Sequence, residues 1–262
     1  MKKTEKELAF LHDLYLTENW TDRFTKNFDD KFKPETIEKI LYVNAGTGTH
    51  ALALRDLFDD KTEITAICET VELQKIAQAK ADVSRAKVDF TTVSPYEDFD
   101  LVIADASFVR PADLSEFIAD ITNFANNQVA FFLPTAGSFG EVFSVLWETL
   151  FNLNLAEKSA EIERMILELP TVSNVEEPAK NAGLKKVESS TNLETFEFKS
   201  GKDFIESPFV ATFLLPNWLS FLSEKEAAKV AKNFVKTVAE NQGDISFRIT
   251  LKATLVKGEV AK

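Results

Sequence analysis

The chain is short of cysteine, histidine and positive charge, and each shortage excludes something. A single cysteine, Cys68, forbids an internal disulfide and fits a reducing compartment. With only two histidines beside it, a conventional zinc site lacks ligands, and no metal is expected. Thirty basic residues stand against 42 acidic ones, giving a net charge of −12. A nucleic-acid partner needs a basic face for its phosphates, so none is expected, and no Lys/Arg cluster stands out. No run approaches the roughly 18 apolar residues that a membrane-spanning helix requires. The opening MKKTEKELAFLHDLYL does not read as a secretion signal, because Glu7, His12 and Asp13 interrupt its apolar positions. A cytoplasmic protein is therefore expected. Eight glycines and eight prolines in 262 residues leave no low-complexity linker, and there is no internal repeat.

Phenylalanine, by contrast, is plentiful. Most of the 23 belong to core packing, with some expected to line an apolar pocket. An apolar content of 45% and a charged content of 27% are those of a globular protein. The length suits one α/β domain, or a domain with a lid.

Residues 5–32 read as one or two amphipathic helices, with Leu8, Leu11, Leu14 and Tyr15 on one face and Trp20, Phe24 and Phe28 continuing it. Lys33-Pro34 ends the segment. Strands and helices then alternate. Strands are predicted at Ile40–Val43, Glu63–Cys68, Val88–Val93, Asp100–Ala104 and Val129–Leu133, and helices at Ala51–Phe58 and Val71–Val83, the latter with Leu73, Ile76, Ala77 and Val83 inward. Capping-box patterns at Asp113/Glu116 and Ser138/Glu141 open two more helices, and a further helix covers Glu157–Leu167. A short helix capped by Ser173 with Glu176 ends at Asn181-Ala182-Gly183 and leads to a sixth strand, Leu184–Glu188. Apolar strands separated by helical crossovers predict a mainly parallel, doubly wound sheet covered on both faces. Residues 193–243 break the alternation, holding LETFEF, ESPFVATFLLPNWLSFL and a helix capped by Ser223. In the last strand, Ile245, Phe247, Ile249, Leu251, Ala253 and Leu255 alternate with polar residues, which predicts a half-exposed antiparallel strand near a sheet edge.

The stretch ILYVNAGTGTHALAL, residues 40–54, carries the most chemistry. A short apolar run ends in Gly46-Thr47-Gly48 and enters a helical pattern. Glycine lets backbone approach a nucleotide-type ligand, since no side chain intervenes and positive φ is tolerated. In an open parallel sheet, ligands sit at the carboxyl ends of the strands. The loops expected there hold Asn44, Ala45, Gly46, Thr47 and Gly48; Cys68, Glu69 and Thr70; Ser94, Pro95 and Tyr96; Asp105, Ala106, Ser107 and Phe108; and Pro134, Thr135 and Ala136.

On LYVNAGTG, TAICETVELQKIAQAKA, FDLVIAD and AGLKKVES, in that order, the chain resembles the class I S-adenosylmethionine-dependent methyltransferases over roughly residues 36–190. The resemblance implies a Rossmann-like, seven-stranded methyltransferase fold with a helical N-terminal cap (1–35), a core (36–192 and 244–262) and an inserted lid (193–243). It implies S-adenosylmethionine as cofactor and a small or apolar methyl acceptor. Carried over by position, Tyr42, Asn44, Ala45, Gly46, Thr47, Gly48, Glu69, Ser94, Pro95 and Asp105 would surround the cofactor. Trp20, Phe24, Phe108 and Trp218, with Phe221, would line the acceptor pocket. Tyr42 stands where the family has an acid, Asn44 where it has the first glycine, and Ser94 where it has the third-strand acid. A gapless alignment puts the ribose-binding acid on Cys68, with Glu69 one residue later. No catalytic base is evident; His50 is a candidate, and a surface histidine at a helix start is its plainer explanation.

Two other functions stay open. Gly46-x-Gly48-x-x-Ala51, with Glu69 near the spacing of a ribose-binding acid, also satisfies the dinucleotide pattern of a nicotinamide oxidoreductase. The displaced acids also suit a fold that has lost its cofactor and serves as a binding or interaction module.

Overall fold

In the computed structural model, residues 3–32, 37–58, 61–96, 98–242 and 246–260 are described. Lys33-Pro34 and Ile245 lie outside them. The chain opens with α1 (Glu5–Leu11), a π-helix (His12–Thr21) and α2 (Asp22–Lys31). It continues through β1 (Lys39–Val43), α3 (Thr49–Leu54), β2 (Glu63–Ile67), α4 (Val71–Ser84), β3 (Asp89–Thr91), β4 (Phe99–Asp105), α5 (Leu114–Asn123) and β5 (Ala125–Pro134). Next come α6 (Gly140–Asn152), α7 (Ser159–Glu168), α8 (Val172–Asn181) and β6 (Leu184–Phe198). The last elements are α9 (Gly201–Glu206), α10 (Leu215–Trp218), α11 (Glu224–Gln242) and β7 (Phe247–Val260).

The seven strands form one mixed sheet in the order β3-β2-β1-β4-β5-β7-β6. The pairs β3-β2, β2-β1, β1-β4 and β4-β5 are parallel, as the apolar strand centres and helical crossovers predict. The chain divides into two compact units. The first comprises residues 1–133, 171–192 and 253–262; the second comprises 134–170 and 193–252. In the first unit, Leu41, Val102, Ala104, Val129 and Phe131 pack against Ile118 and Ile121 of α5 and Val175 and Ala179 of α8. In the second unit, Phe204 contacts the rings of Phe198, Trp218, Phe234 and Phe247. Among the described residues, no helix is long and apolar enough to cross a membrane.

Several local expectations are corrected. Leu8 and Leu14 face outward, while Ala9, Leu16 and Trp20 are buried. For Leu14 and Leu16 the cause is the π-helix, whose i→i+5 bonds (Asp22 N–H to Thr17 O is one) shift the phase away from 3.6, while Leu8 and Ala9 lie before it in α1. Val83 is exposed, close to the end of α4. Asp113 caps nothing with its side chain and pairs instead with Arg110. At the start of α6 the cap position falls on Phe139, at φ 63°, while Ser138 Oγ donates to Thr135 O and Glu141 accepts from Thr250. The cap of α8 is Thr171 with Asn174, two residues before the expected Ser173. β6 runs unbroken through LETFEF, and β7 lies between β5 and β6, so its second half is largely buried. Ser223 caps α11 as expected, its Oγ accepting from Glu226 N–H while Glu226 Oε2 accepts from Ser223 N–H.

Candidate functional site

The carboxyl ends of β1, β2 and β4 meet at the loop that follows β1. Asn44 turns the chain at φ 58°, in the left-handed region that asparagine tolerates, and its Nδ2 donates to Asp105 O at 2.8 Å. Ala45 N–H donates to Ile67 O at 2.8 Å, tying the loop to the end of β2. Gly46 and Gly48 follow at φ 57° and 76°. Their reasons differ. A Cβ on Gly48 would lie 2.5 Å from Phe90 Cζ and 2.9 Å from Ala77 Cβ, so this glycine lets α3 begin close against β3 and α4. A Cβ on Gly46 would lie 2.4 Å from Cε1 and 2.7 Å from Nε2 of His12. The imidazole of the π-helix therefore rests on the face of the loop that has no side chain.

Two carboxyls border the loop. Glu69 Oε2 accepts from Gly46 N–H at 3.0 Å. Part of the Glu69 side chain reaches solvent, yet crowding around its carboxyl holds the pKa above the usual range. Asp105, half-buried at the end of β4, accepts from Ser107 N–H at 2.8 Å, and desolvation pushes it up to about 7 against that bond. Among the described residues, neither carboxyl has an ion-pair partner. Cys68 points into the core, and burial pushes its thiol up to about 12, so it is not the group facing the loop.

Behind the loop, Tyr42 is fully buried. Its hydroxyl lies 3.0 Å from His50 Nδ1, and His50 Nε2 lies 3.1 Å from Asp29 Oδ1 of α2. Burial, with Asp105, Glu69 and Asp29 nearby, keeps the phenol well above its ordinary pKa. His50 is buried rather than exposed at the helix start.

The aromatic candidates separate. Trp20 contacts Phe24 and Phe108, each with ring centroids 5.3 Å apart, and its Nε1 donates to Ser107 Oγ at 2.8 Å. Phe24 stacks on Phe132, and Phe108 keeps an exposed face. Trp218 belongs to the second unit, where it packs on Phe139, Phe143 and Phe204; Phe221 is half-buried there. Ser94 is exposed and Pro95 half-buried in the segment after β3.

Sequence reasoning missed His12 and Lys80, while Ser107 stood among the residues expected after the fourth strand. Lys80 Nζ donates to Asp13 and to Thr49 Oγ1 at 2.8 Å, and reaches Thr47 Oγ1 at 3.3 Å. Desolvation lowers His12 to about 4, so its ring is neutral at pH 7. A histidine inside an amphipathic helix carries no signal of what it will rest on. Among the described residues, no group of three His, Cys, Asp or Glu side chains is placed to hold a metal.

No protein-family model matches the chain, and no curated protein matches its sequence. Solved structures match its fold. The phosphoethanolamine N-methyltransferase 2 of Haemonchus contortus, in complex with phosphomonomethylethanolamine and S-adenosylhomocysteine, superposes with a TM-score of 0.56 at 13% identity, over 98% of this chain and 58% of that one. The chain thus spans little more than half the length of that enzyme. An S-adenosylmethionine-dependent methyltransferase of Aquifex aeolicus gives 0.52 at 11% identity, over 99% of this chain and 100% of that one. The cyclase SpnF gives 0.51 at 16% identity, over 99% and 97%. The chain has the fold of the S-adenosylmethionine-dependent methyltransferases, a fold that also carries a cyclase, so the reaction has to be argued from the site.

Proposed function

We propose that the chain is an S-adenosylmethionine-dependent methyltransferase acting on a small or apolar acceptor. The observation that carries this reading is the charge of the site. Glu69 and Asp105 border a loop with three residues at positive φ, and among the described residues no cation pairs with either. Each accepts a backbone N–H, and a carboxyl that is half-buried, as Asp105 is, or held in a crowded pocket, as Glu69 is, costs more to ionise without a cation beside it. S-adenosylmethionine brings a sulfonium, an ammonium and a ribose diol, which suit two such carboxyls. A nicotinamide dinucleotide would bring a pyrophosphate beside them, and the lysine near the loop, Lys80, is already paired with Asp13. The donor set fits the sulfonium cofactor better.

Glu69 would accept from the ribose hydroxyls, and Asn44, Ala45, Gly46, Thr47 and Gly48 would present backbone to the methionine part. Asp105 would lie toward its charged end, with Tyr42 buttressing the loop from behind through His50. Ser94 and Pro95 would form the adenine side. When bound, the cofactor supplies an activated methyl group. The protein's contribution is then alignment and exclusion of water. Trp20, Phe24 and Phe108 would wall the acceptor on the first unit. Trp218 would serve only indirectly, through the core it packs.

A second reading, a fold that no longer binds cofactor, is favoured by the His12 ring over Gly46. Calorimetric titration with S-adenosylhomocysteine, with NADH in parallel, separates them. Saturable binding of the homocysteine compound, weakened about tenfold or more by Glu69→Gln through loss of charge-assisted bonds, is expected. Binding of NADH alone would replace this proposal with the oxidoreductase reading.

A further inference from the structure

Residues 5–31 lie over the glycine loop in a graded way. At one end α2 is anchored: Phe24 and Phe28 are buried, Asn27 Nδ2 donates to Ser190 O at 2.8 Å, and Asp29 meets His50 at 3.1 Å. At the other end α1 buries only Ala9. Between them runs the π-helix, a conformation that is rare and concentrated at functional sites. Its first residue, His12, sits on Gly46. Specific polar contacts surround that ring. Asp13 takes Lys80, Thr17 Oγ1 lies 3.5 Å from Thr47 Oγ1, and Trp20 Nε1 donates to Ser107 Oγ at 2.8 Å. The π-helix buries Leu16, Thr17 and Trp20 toward α2, while His12, Asp13, Leu14 and Tyr15 keep exposure, so α1 and this first turn open at low cost compared with the body of a domain.

Resting on the cofactor-binding reading above, we propose that α1 and the first turn of the π-helix form a self-plugging lid, with His12 occupying the face of Gly46 that a ligand needs and lifting away before the ligand enters. The geometry allows no compromise. A ring close enough to exclude a methyl group from Gly46 also excludes a ligand from the side of the backbone where that methyl would stand. The Lys80–Asp13 pair, with Lys80 also on Thr47 and Thr49, fastens the lid to the loop it covers. The fraction of molecules with the lid lifted then scales the apparent affinity of any ligand of the loop.

The test is calorimetric titration of S-adenosylhomocysteine into the full chain and three variants, with amide exchange measured on the same proteins without ligand. His12→Ala empties the cradle and is expected to bind at least about tenfold tighter than the parent. His12→Phe refills the cradle and is expected to bind no tighter. Lys80→Met, which leaves the ring in place but cuts the fastening, is expected to bind about threefold tighter. In ligand-free His12→Ala and Lys80→Met, exchange through residues 9–20 is expected to quicken. Equal affinity in the parent, His12→Ala and Lys80→Met would overturn the plug while leaving the cofactor reading intact. Absence of binding in all of them, including the chain with the cradle emptied, would overturn both. Binding by His12→Ala alone would establish the plug and exclude the non-binding module together.

Discussion

Gly46→Ala tests the contact between loop and lid without any ligand. The new Cβ meets two costs. Alanine in the left-handed region loses about 1–2 kcal/mol relative to glycine. It would also stand 2.4 Å from His12 Cε1, far inside the ordinary carbon contact of about 3.5–4 Å, so the ring must give way. Overpacking of this kind costs about 1–3 kcal/mol. Together the substitution should destabilise the chain, or the lid against its loop, by about 2–5 kcal/mol. In a His12→Ala background only the backbone part remains, so the same substitution should cost about 1–2 kcal/mol. A double-mutant cycle, read from denaturant midpoints and from amide exchange through residues 9–20, therefore carries a coupling energy of about 1–3 kcal/mol. If Gly46→Ala costs the same with and without His12, the ring does not rest on the glycine and the reasoning fails.

Three further outcomes are expected. His12 has a folded-state pKa of about 4, below its ordinary 6.5, so lid closure is undiminished above pH 6.5 and loses up to about 3 kcal/mol as pH falls from 6.5 to 4, because only the open form takes the proton. Amide exchange of the lid should accelerate through that window in the parent and much less in His12→Ala; an identical acceleration in the variant would contradict it. Asp105 is shifted the other way, from 3.8 to about 7, so its contribution is complete below pH 3.8 and is lost progressively as pH rises from 3.8 to 7. Asp105→Asn should accordingly raise the melting temperature more at pH 8 than at pH 5; a larger gain at pH 5 would reverse the assignment. Phe139→Gly sets two effects against each other. It relieves a left-handed φ of 63°, worth about 1–2 kcal/mol, but removes a buried ring that packs on Phe143 and Trp218, worth about 3–5 kcal/mol. Thermal unfolding should show a net loss of roughly 1–4 kcal/mol, and a stabilised variant would mean that backbone strain dominates.

The sheet was readable because its signal is local. Short apolar strands such as ILYV and DLVIA, separated by helical repeats, can be satisfied only by burial on both faces, and a parallel doubly wound sheet is what crossovers of that length build. The loop at Asn44–Gly48 was readable for the same reason: residues that tolerate positive φ stand between a strand and a helix start, and the chain takes positive φ at Asn44, Gly46 and Gly48. Helix starts were less legible. Asp113, Ser138 and Ser173 each had a capping-box partner at the right spacing, yet Arg110 took Asp113, Thr135 took Ser138, and an earlier Thr171 took the place of Ser173.

By itself, then, the sequence determined the alternation of elements, the place of the glycine turn and the acids near it. Which acid borders the loop was a matter of which face each residue took: Cys68 went into the core and left Glu69 at the mouth. The meeting of His12 with Gly46 was decided only in three dimensions, across 34 positions of chain and through a π-helix whose phase the 3.6 pattern does not carry. A glycine in the sequence marks a place where something comes close; only the fold decided that the close neighbour is the protein's own histidine.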